Sequence, residues 1–310
     1  MKKKLTVTFK IILSIGILYF LFNKTNTKTL LELYSNVNLK ILILPFILLF
    51  FQTTLSSLKW KYILAAENTF PPFFFLLKSY FIAGFLSLFL PSSFGGDIYR
   101  IYILKQYNKN YLKNTSSVLF DRISGLFALT SISIISYILF YKNRINYKFL
   151  AIYLFAIILF WLLTSDKMAN LILDGKNKIF YYIIKIIKSF NKYRNNKKVL
   201  LQALCISFIF QSNIVLINKI CCMALNIEIS VQYLFMIIPL IYLTEALPIS
   251  INGLGVREGA FIFFFVQAGY KPEEALGLAI LVIMMRYLFN VIIGGGLFVK
   301  SLFSPNLSKE

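Results

Sequence analysis

Long apolar runs recur along the whole chain, and they constrain its fold more than any other feature. A run of about 18 apolar residues is long enough to cross a bilayer as a helix. Every backbone N–H and C=O must be paired internally in lipid, so runs without alternating polar residues predict helices rather than a barrel. The sequence therefore predicts an all-α polytopic membrane bundle that forms one domain over residues 1–310. The nine apolar segments are Leu5–Phe22, Leu39–Ser57, Phe73–Leu90, Ser117–Tyr141, Phe149–Thr164, Val199–Leu225, Gln232–Ile249, Gly259–Gly269 and Ala275–Val299.

Composition narrows the class of partner. Charged residues make up 15% of the chain, against roughly 25% in a soluble domain, and the formal net charge is +21. The cations lie in short segments between apolar runs, which suits anionic lipid headgroups and topology signals, so we expect membrane lipids and no nucleic acid as partners. Histidine is absent and the three cysteines fall within one apolar helix, so we expect no metal, cofactor or disulfide framework.

Positive charge also predicts the topology. Suppose that Phe73–Leu90 enters and leaves by one face while the other eight segments cross; cytoplasmic segments then hold 22 Lys and Arg residues, and external loops hold seven. If all nine crossed, the nine cations of 165–198 would lie outside, against the positive-inside rule. The sequence predicts about eight spans plus one re-entrant segment in the plasma (inner) membrane. The first apolar run is expected to be an uncleaved span, because no small-residue cleavage site follows it, and the charge count places the N-terminus in the cytoplasm.

Residues 165–198 form the largest polar insert and are expected on the cytoplasmic side. Within them, 175–190 places three lysines near one helical face. This pattern indicates either an amphipathic helix lying on the membrane surface or an extension of the next span.

Two stretches, PSSFGGDIYR (91–100) and PISINGLGVR (248–257), interrupt the apolar pattern in the same way. Aligned on proline, they share Pro-x-Ser-x-x-Gly-x-x-x-Arg. Proline ends a helix, and glycine permits a turn and close backbone approach. At membrane depth the freed backbone groups must face protein or a wet cavity, and a helix N-terminus there favours an anion such as a lipid phosphate. The alternative is two interfacial turns whose arginines reach headgroups. The predicted topology places both turns on the cytoplasmic side, whereas an inverted repeat would place them on opposite sides.

Ionisable residues within apolar segments are costly, and each is therefore a functional candidate. Asp121 and Arg122 could form a near-neutral local pair, as could Asp97 with Arg100 and Arg257 with Glu258. Glu245 and Arg286 are expected to pair, either as a structural contact or as a contact that opens when a phosphate takes the arginine. The predicted substrate-binding residues are Ser93, Gly95, Gly96, Asp97, Arg100, Arg122, Glu245, Gly253, Gly255, Arg257, Glu258 and Arg286.

The runs FIAGFLSLFLPSSFGGDIYRIYILK, VLFDRISGL and ALPISINGLGVREGAFIFFF resemble the lysylphosphatidylglycerol synthase transmembrane-region family of flippase-like integral membrane proteins. The resemblance extends over roughly residues 5 to 299. It implies translocation of a lipid or handling of a lipid intermediate at the plasma membrane. The two-domain enzyme of this family continues into a soluble aminoacyltransferase, whereas this chain stops at Glu310. We therefore expect no synthesis of lysyl-lipid by the chain itself, and a separate lipid-modifying enzyme becomes a candidate partner.

The sequence thus favours a lipid transporter that is not an enzyme and has no ATPase motif, since no Gly-x-x-x-x-Gly-Lys-Ser/Thr loop is present. One alternative is a membrane glycosyltransferase or accessory subunit that acts on a polyprenyl-phosphate carrier. Such transfer usually needs a carboxylate base or an acidic metal site, and only Glu273 and Glu274 lie close in sequence. A non-transporting scaffold for another membrane enzyme is the other alternative.

Overall fold

The computed structural model describes residues 12, 14–23, 25–89, 95–140, 186, 189–190, 192–246 and 250–303, and the statements below concern these residues. Within them the regular structure is entirely helical, which confirms the all-α fold class. The helices are α1 (Ser14–Asn23), α2 (Thr27–Ser35), α3 (Ile43–Ala66), α4 (Phe73–Phe89), α5 (Gly95–Ile103), α6 (Tyr111–Phe140), α7 (Lys197–Ala224), α8 (Val231–Ala246), α9 (Val256–Gln267), α10 (Pro272–Phe289) and α11 (Gly296–Phe303). A π-helical segment, Asn290–Gly295, joins α10 to α11.

Four helical stretches are long and apolar enough to cross a membrane: α3, α6, α7 and the continuous stretch Pro272–Phe303. The helices α1, α4 and α8 are apolar but shorter. The predicted segment Phe149–Thr164 and most of the insert 165–198, including the amphipathic stretch, lie outside the described residues. The prediction of about eight spans is therefore tested only in part by this helix inventory.

Three contacts define the first end of the bundle. Asn108 Nδ2 donates to Thr69 Oγ1 at 3.1 Å, and Lys192 Nζ lies 3.1 Å from a Glu67 carboxylate oxygen. These contacts hold together the C-terminal end of α3, the loop after α5 and the segment before α7. The rings of Phe75 and Tyr107 also meet, with centroids 4.8 Å apart, so the start of α4 lies beside the residues that follow α5.

The second end of the bundle is defined in the same way. The Asn38 amide donates to the Ala224 carbonyl at 3.0 Å, which joins the segment before α3 to the end of α7. The Tyr270 hydroxyl donates to the Glu228 carbonyl at 2.5 Å, which joins the loop after α9 to the segment before α8. Helices α3, α6, α7 and the α10–α11 stretch therefore run from one end to the other.

Helices α4 and α5 form a hairpin that starts and ends at the first end. Near its tip the Gly96 amide donates to Ser87 Oγ at 3.1 Å. A Cβ atom on Gly96 would lie only 2.6 Å from the Ala83 carbonyl oxygen, so this close approach of α5 to α4 requires glycine. This is the re-entrant geometry that the sequence predicts for Phe73–Leu90.

Helices α8 and α9 form a second hairpin, and this one starts and ends at the second end. Its arms are joined where the Tyr233 hydroxyl donates to the Phe264 carbonyl at 2.7 Å. Its turn contains glycine in the left-handed region, with φ of 84° at Gly255. The tip reaches the other hairpin, because Asn252 Nδ2 donates to the Ser87 carbonyl at 3.2 Å. The two tips therefore meet inside the bundle after entering from opposite ends.

This arrangement differs from the expectation that both turns lie on one side. The prediction of about eight spans took Gln232–Ile249 and Gly259–Gly269 as two crossings, and this part is wrong, because α8 and α9 are the two arms of one hairpin. Two crossings and one re-entrant hairpin leave the following loop on the same side, so the positive-inside rule does not distinguish them. Arg257, which the charge count took as a cytoplasmic cation, is 2% exposed and ion-paired inside the bundle. The opposite entry of the two hairpins is the geometry that an inverted repeat requires.

The apolar core lies mainly between α7, α8, α9 and α10, towards the second end. Cys221 and Cys222 are fully buried within it, and all three cysteines lie on α7, as the sequence predicts. Close packing also continues into the π-helical segment, where Gly294 lies against the Phe81 carbonyl with no room for a Cβ atom.

Accessibility to a membrane-impermeant maleimide tests the two hairpins. In a Cys205→Ser background, Phe70→Cys and Lys109→Cys are expected to react from one side of sealed vesicles, since both positions lie at the first end. Glu228→Cys and Lys271→Cys are expected to react only from the other side. Reaction of the first two positions from opposite sides would rule out the α4–α5 hairpin.

Candidate functional site

Arg100, on the re-entrant helix α5, is buried in the first charged cluster. Its NH1 lies 3.2 Å from Asp97 Oδ1, and its NH2 lies 2.9 Å from Asp121 Oδ2 on α6. The guanidinium also stacks between the rings of Trp60 and Tyr80, with Cζ 4.2 and 4.0 Å from their centroids. Because two carboxylates and two ring faces replace its hydration shell, the cation is stable in a buried position. The predicted Asp97–Arg100 pair is confirmed.

Asp121 connects several helices. Lys59 Nζ from α3 lies 2.8 Å from Asp121 Oδ1 and also donates to Ser207 Oγ on α7 at 3.1 Å. The Tyr80 hydroxyl of α4 donates to Asp121 Oδ2 at 2.7 Å. One carboxylate therefore joins α3, α4, α5 and α6, and it reaches α7 through Lys59. Sequence reasoning did not single out Lys59, although a lysine at the end of an apolar run is a signal of this kind.

Arg122 follows Asp121 in sequence but has a different partner. Its guanidinium Nε pairs with Asp97 Oδ2 on α5. About a third of its side chain, 32%, is exposed, whereas Arg100 is almost fully buried. In place of the predicted local Asp121–Arg122 pair, Asp121 pairs with Lys59 and Arg100 and Arg122 pairs with Asp97, so each residue connects α6 to other helices.

Arg257 is the buried arginine of the second cluster. Its NH2 lies 3.0 Å from Glu258 Oε1, and its NH1 lies 3.2 Å from Glu245 Oε2. Glu258 Oε2 also accepts a hydrogen bond from the Gly255 amide at 2.5 Å, so this carboxylate caps the start of α9. The predicted Arg257–Glu258 pair is confirmed, and it stabilises the turn that precedes the helix.

Glu245 and Arg286 form the predicted ion pair between α8 and α10. Arg286 NH2 lies 2.7 Å from Glu245 Oε1, and NH1 lies 3.4 Å from Oε2. The arginine side chain is 31% exposed. Gly253 keeps the turn close to this pair, since a Cβ atom there would lie 2.9 Å from Glu245 Cγ.

The two clusters share one arrangement. In each, a carboxylate gives one oxygen to a buried arginine and the other to an arginine that is about one third exposed. We call these sets the first triad, Arg100–Asp97–Arg122, and the second triad, Arg257–Glu245–Arg286. Each bridging carboxylate belongs to a hairpin. The two arginines that are about one third exposed, Arg122 and Arg286, belong to spanning helices, and we call them the half-exposed arginines. The triads therefore fasten the hairpins to the bundle.

Both half-exposed arginines face one space in the middle of the bundle, whose wall contains apolar as well as polar side chains. This space consists of two adjoining cavities of about 400 and 270 Å³ that share much of their walls, and we call it the central cavity. Arg122 and Arg286 line both parts, together with Gln52, Ser87 and Asn290. The combined size is in the range of small-molecule sites, which span about 300–1,000 Å³.

The structure brings six of the predicted site residues to the wall of this cavity, and these are Gly96, Asp97, Arg100, Arg122, Glu245 and Arg286. Ser93 lies outside the described residues; the other eleven belong to the triads or to the turns beside them. Gly95 and Gly96 are buried at the start of α5. The geometry shows that the described site residues lie close to one another, and their part in binding a substrate stays a prediction. Gln52 and Asn290 were not predicted, although polar amides within apolar runs are a usable signal.

Removal of the Asp121 charge tests the role of the first cluster in stability. Asp121→Asn is expected to lower the free energy of unfolding in detergent by about 3 kcal/mol, because it leaves the buried Lys59 and Arg100 under-compensated. The exposed carboxylate of Glu32 provides the control: Glu32→Gln should change stability by less than about 0.5 kcal/mol. Equal thermal unfolding curves for the two variants would contradict this role.

The chain matches a known protein family. The family model described as Lysylphosphatidylglycerol synthase TM region matches residues 7–294. The matched region contains both hairpins, both triads and the whole wall of the central cavity. No curated protein matches the chain.

Proposed function

The chain belongs to the family of the lysylphosphatidylglycerol synthase TM region, and from this membership and the central cavity we propose that it binds an anionic lipid or lipid-linked intermediate and translocates it across the plasma membrane. Its family and its apolar helices make it a multi-pass membrane protein related to lipid metabolism. The proposed activity is transport rather than catalysis, and it involves no ATP hydrolysis on this chain.

The observation that carries the proposal is the pair of half-exposed arginines on one cavity. Arg122 and Arg286 both line the two parts of the central cavity. A guanidinium presents several N–H donors in a plane that matches phosphate oxygens, so an arginine pair of this kind suits a phosphate headgroup. Ionisable groups inside a membrane bundle are costly and usually mark a substrate path.

The first cluster supplies a way to accept an anion without leaving an uncompensated charge. It has three cations for two carboxylates, so Arg122 can turn towards a phosphate while Asp97 stays neutralised by Arg100. The phosphate then replaces the Asp97 oxygen as the partner of Arg122, which limits the cost of burying the new charge. In the second cluster Arg257 also pairs with Glu258, so Arg286 contacts the phosphate while it keeps its contact with Glu245.

The opposite entry of the two hairpins supports translocation as well as binding. The first triad fastens the hairpin from the first end, and the second triad fastens the hairpin from the second end. A headgroup in the central cavity can thus contact arginines held by both hairpins, midway between the two faces. Transporters with interrupted helices from two repeats place their substrate sites in this position.

Charge distribution supports a cytoplasmic first end. Cations are frequent in the described segments near the first end and sparse near the second, as the positive-inside rule requires for this orientation. Those near the first end include Lys105, Lys109, Lys113, Lys192, Arg194, Lys197 and Lys198; those near the second are Lys28, Lys40, Lys219 and Lys271.

Charge-neutral replacement of the half-exposed arginines tests the proposal. In proteoliposomes, Arg122→Gln and Arg286→Gln are each expected to slow translocation of a fluorescent anionic phospholipid at least about tenfold. The reason is that a hydrogen bond to a charged group contributes about 1.5–3 kcal/mol, and 1.4 kcal/mol is a factor of ten. Translocation is measured by bleaching of the outer leaflet with a membrane-impermeant reductant.

The control is Lys61→Gln, which removes an exposed cation from α3 without touching the cavity. Thermal unfolding in detergent checks that all three variants insert and fold. Wild-type translocation rates in both arginine variants would refute the proposed function.

A further inference from the structure

Two amides of the central cavity have no hydrogen-bond partner within the described part of the chain. Gln52, on α3, and Asn290, at the start of the π-helical segment, line both parts of the cavity with Arg122 and Arg286. Among the described residues, neither of these two amide side chains makes a hydrogen bond to protein. Both are partly buried. The cavity therefore offers two neutral donor–acceptor groups beside its cations.

Asn290 is held at the cavity by local structure. It begins the π-helical segment Asn290–Gly295, and π-helical turns often occur at functional sites. It also packs against Gly84 of α4, where a Cβ atom would lie 2.7 Å from Asn290 Oδ1. Any larger residue at position 84 would displace the amide. Two separate features thus keep the Asn290 side chain on the cavity wall.

An amide without a partner in a membrane bundle carries a desolvation cost unless a ligand or water satisfies it. Each side-chain amide has a carbonyl oxygen that accepts and an NH₂ group that donates. A hydroxyl group both donates and accepts, so it can satisfy either end of the amide. A positively charged amine only donates, and it would be repelled by the neighbouring arginines.

The charge of the clusters also restricts the ligand. The described ion pairs of the two clusters contain five cations and four carboxylates, so the clusters carry a net charge of +1. The cations are Lys59, Arg100, Arg122, Arg257 and Arg286. The carboxylates are Asp97, Asp121, Glu245 and Glu258. A single phosphodiester monoanion balances this charge. Every one of these carboxylates is already paired with a cation, so the clusters hold no spare anion for an ammonium group.

On the basis of the proposed function, we propose that the preferred lipid has one phosphodiester charge and a neutral, hydroxyl-bearing headgroup, such as a glycerol or sugar, in place of an amine. Arg122 and Arg286 bind the phosphate. Gln52 and Asn290 bind the headgroup hydroxyls and set the preference among lipids of equal charge.

A panel of lipids with identical acyl chains tests this inference on the unaltered protein. Full-length protein in nanodiscs is loaded with fluorescent phosphatidylglycerol, which is then displaced by phosphatidylglycerol, phosphatidylmethanol, phosphatidylethanolamine or lysyl-phosphatidylglycerol. Phosphatidylmethanol has the same charge as phosphatidylglycerol but no hydroxyl groups. We expect phosphatidylglycerol to compete about tenfold better than phosphatidylmethanol, because it can form two additional neutral hydrogen bonds, one with each amide. Both amine-bearing lipids should compete more weakly than phosphatidylmethanol.

Substitution of the two amides tests whether they cause the preference for phosphatidylglycerol over phosphatidylmethanol. Gln52→Leu and Asn290→Leu are each expected to reduce the advantage of phosphatidylglycerol over phosphatidylmethanol to about threefold or less, whereas the exposed control Gln106→Leu should keep the full advantage. Should either variant fail to fold, the lipid panel on the unaltered protein decides the inference by itself.

These experiments distinguish failure of the headgroup assignment from failure of the proposed function. Equal competition by phosphatidylglycerol and phosphatidylmethanol, or stronger competition by either amine-bearing lipid, would overturn the headgroup assignment while leaving an anionic-lipid site in place. Phosphatidylglycerol binding that is unaffected by both Arg122→Gln and Arg286→Gln would instead refute the proposed function and this inference with it.

Discussion

The compensation of buried arginine charge by shared carboxylates is the interaction on which the rest of the structure depends. An unpaired charge within a membrane bundle carries a large desolvation cost, so Arg100 and Arg257 must have anionic partners wherever they are placed. Those partners come from the hairpins themselves and from neighbouring helices. The ion pairs therefore decide where two interrupted helices stop inside the bundle, which hydrophobic packing alone does not specify.

The two triads also explain how an interrupted helix can exist at this depth. A turn in the middle of a membrane exposes backbone groups that lipid leaves unpaired. At the second turn Glu258 accepts from the Gly255 amide, and at the first the Ser87 hydroxyl accepts from the Gly96 amide. Polar side chains thus satisfy described backbone groups at both tips. The desolvation cost of unpaired backbone groups also keeps the two tips together, because each tip provides polar groups for the other.

Much of this structure follows from the sequence, but the pairing between helices does not. Apolar runs predict the helices, and charge distribution predicts the re-entrant α4. Glu245 and Arg286 are predictable partners because both are charges isolated in apolar segments. The partner of Asp121 was not predictable, since helices that are apolar on nearly every face give no period from which to infer their rotation. The entry side of the second hairpin was mispredicted because two crossings and one re-entrant hairpin leave the loops on the same sides, and the one cation that differs, Arg257, is buried and neutralised.

The difference between the two kinds of arginine decides how mutational data on such a site should be interpreted. Arg100 and Arg257 are almost fully buried, and each contacts two carboxylates. Loss of either guanidinium would leave carboxylates uncompensated inside the bundle, so loss of transport would report a damaged fold. Arg122 and Arg286 are about one third exposed on the cavity, where water can partly replace a lost contact. Only this second pair separates binding of a lipid phosphate from stability of the bundle, although all four arginines look alike in the sequence.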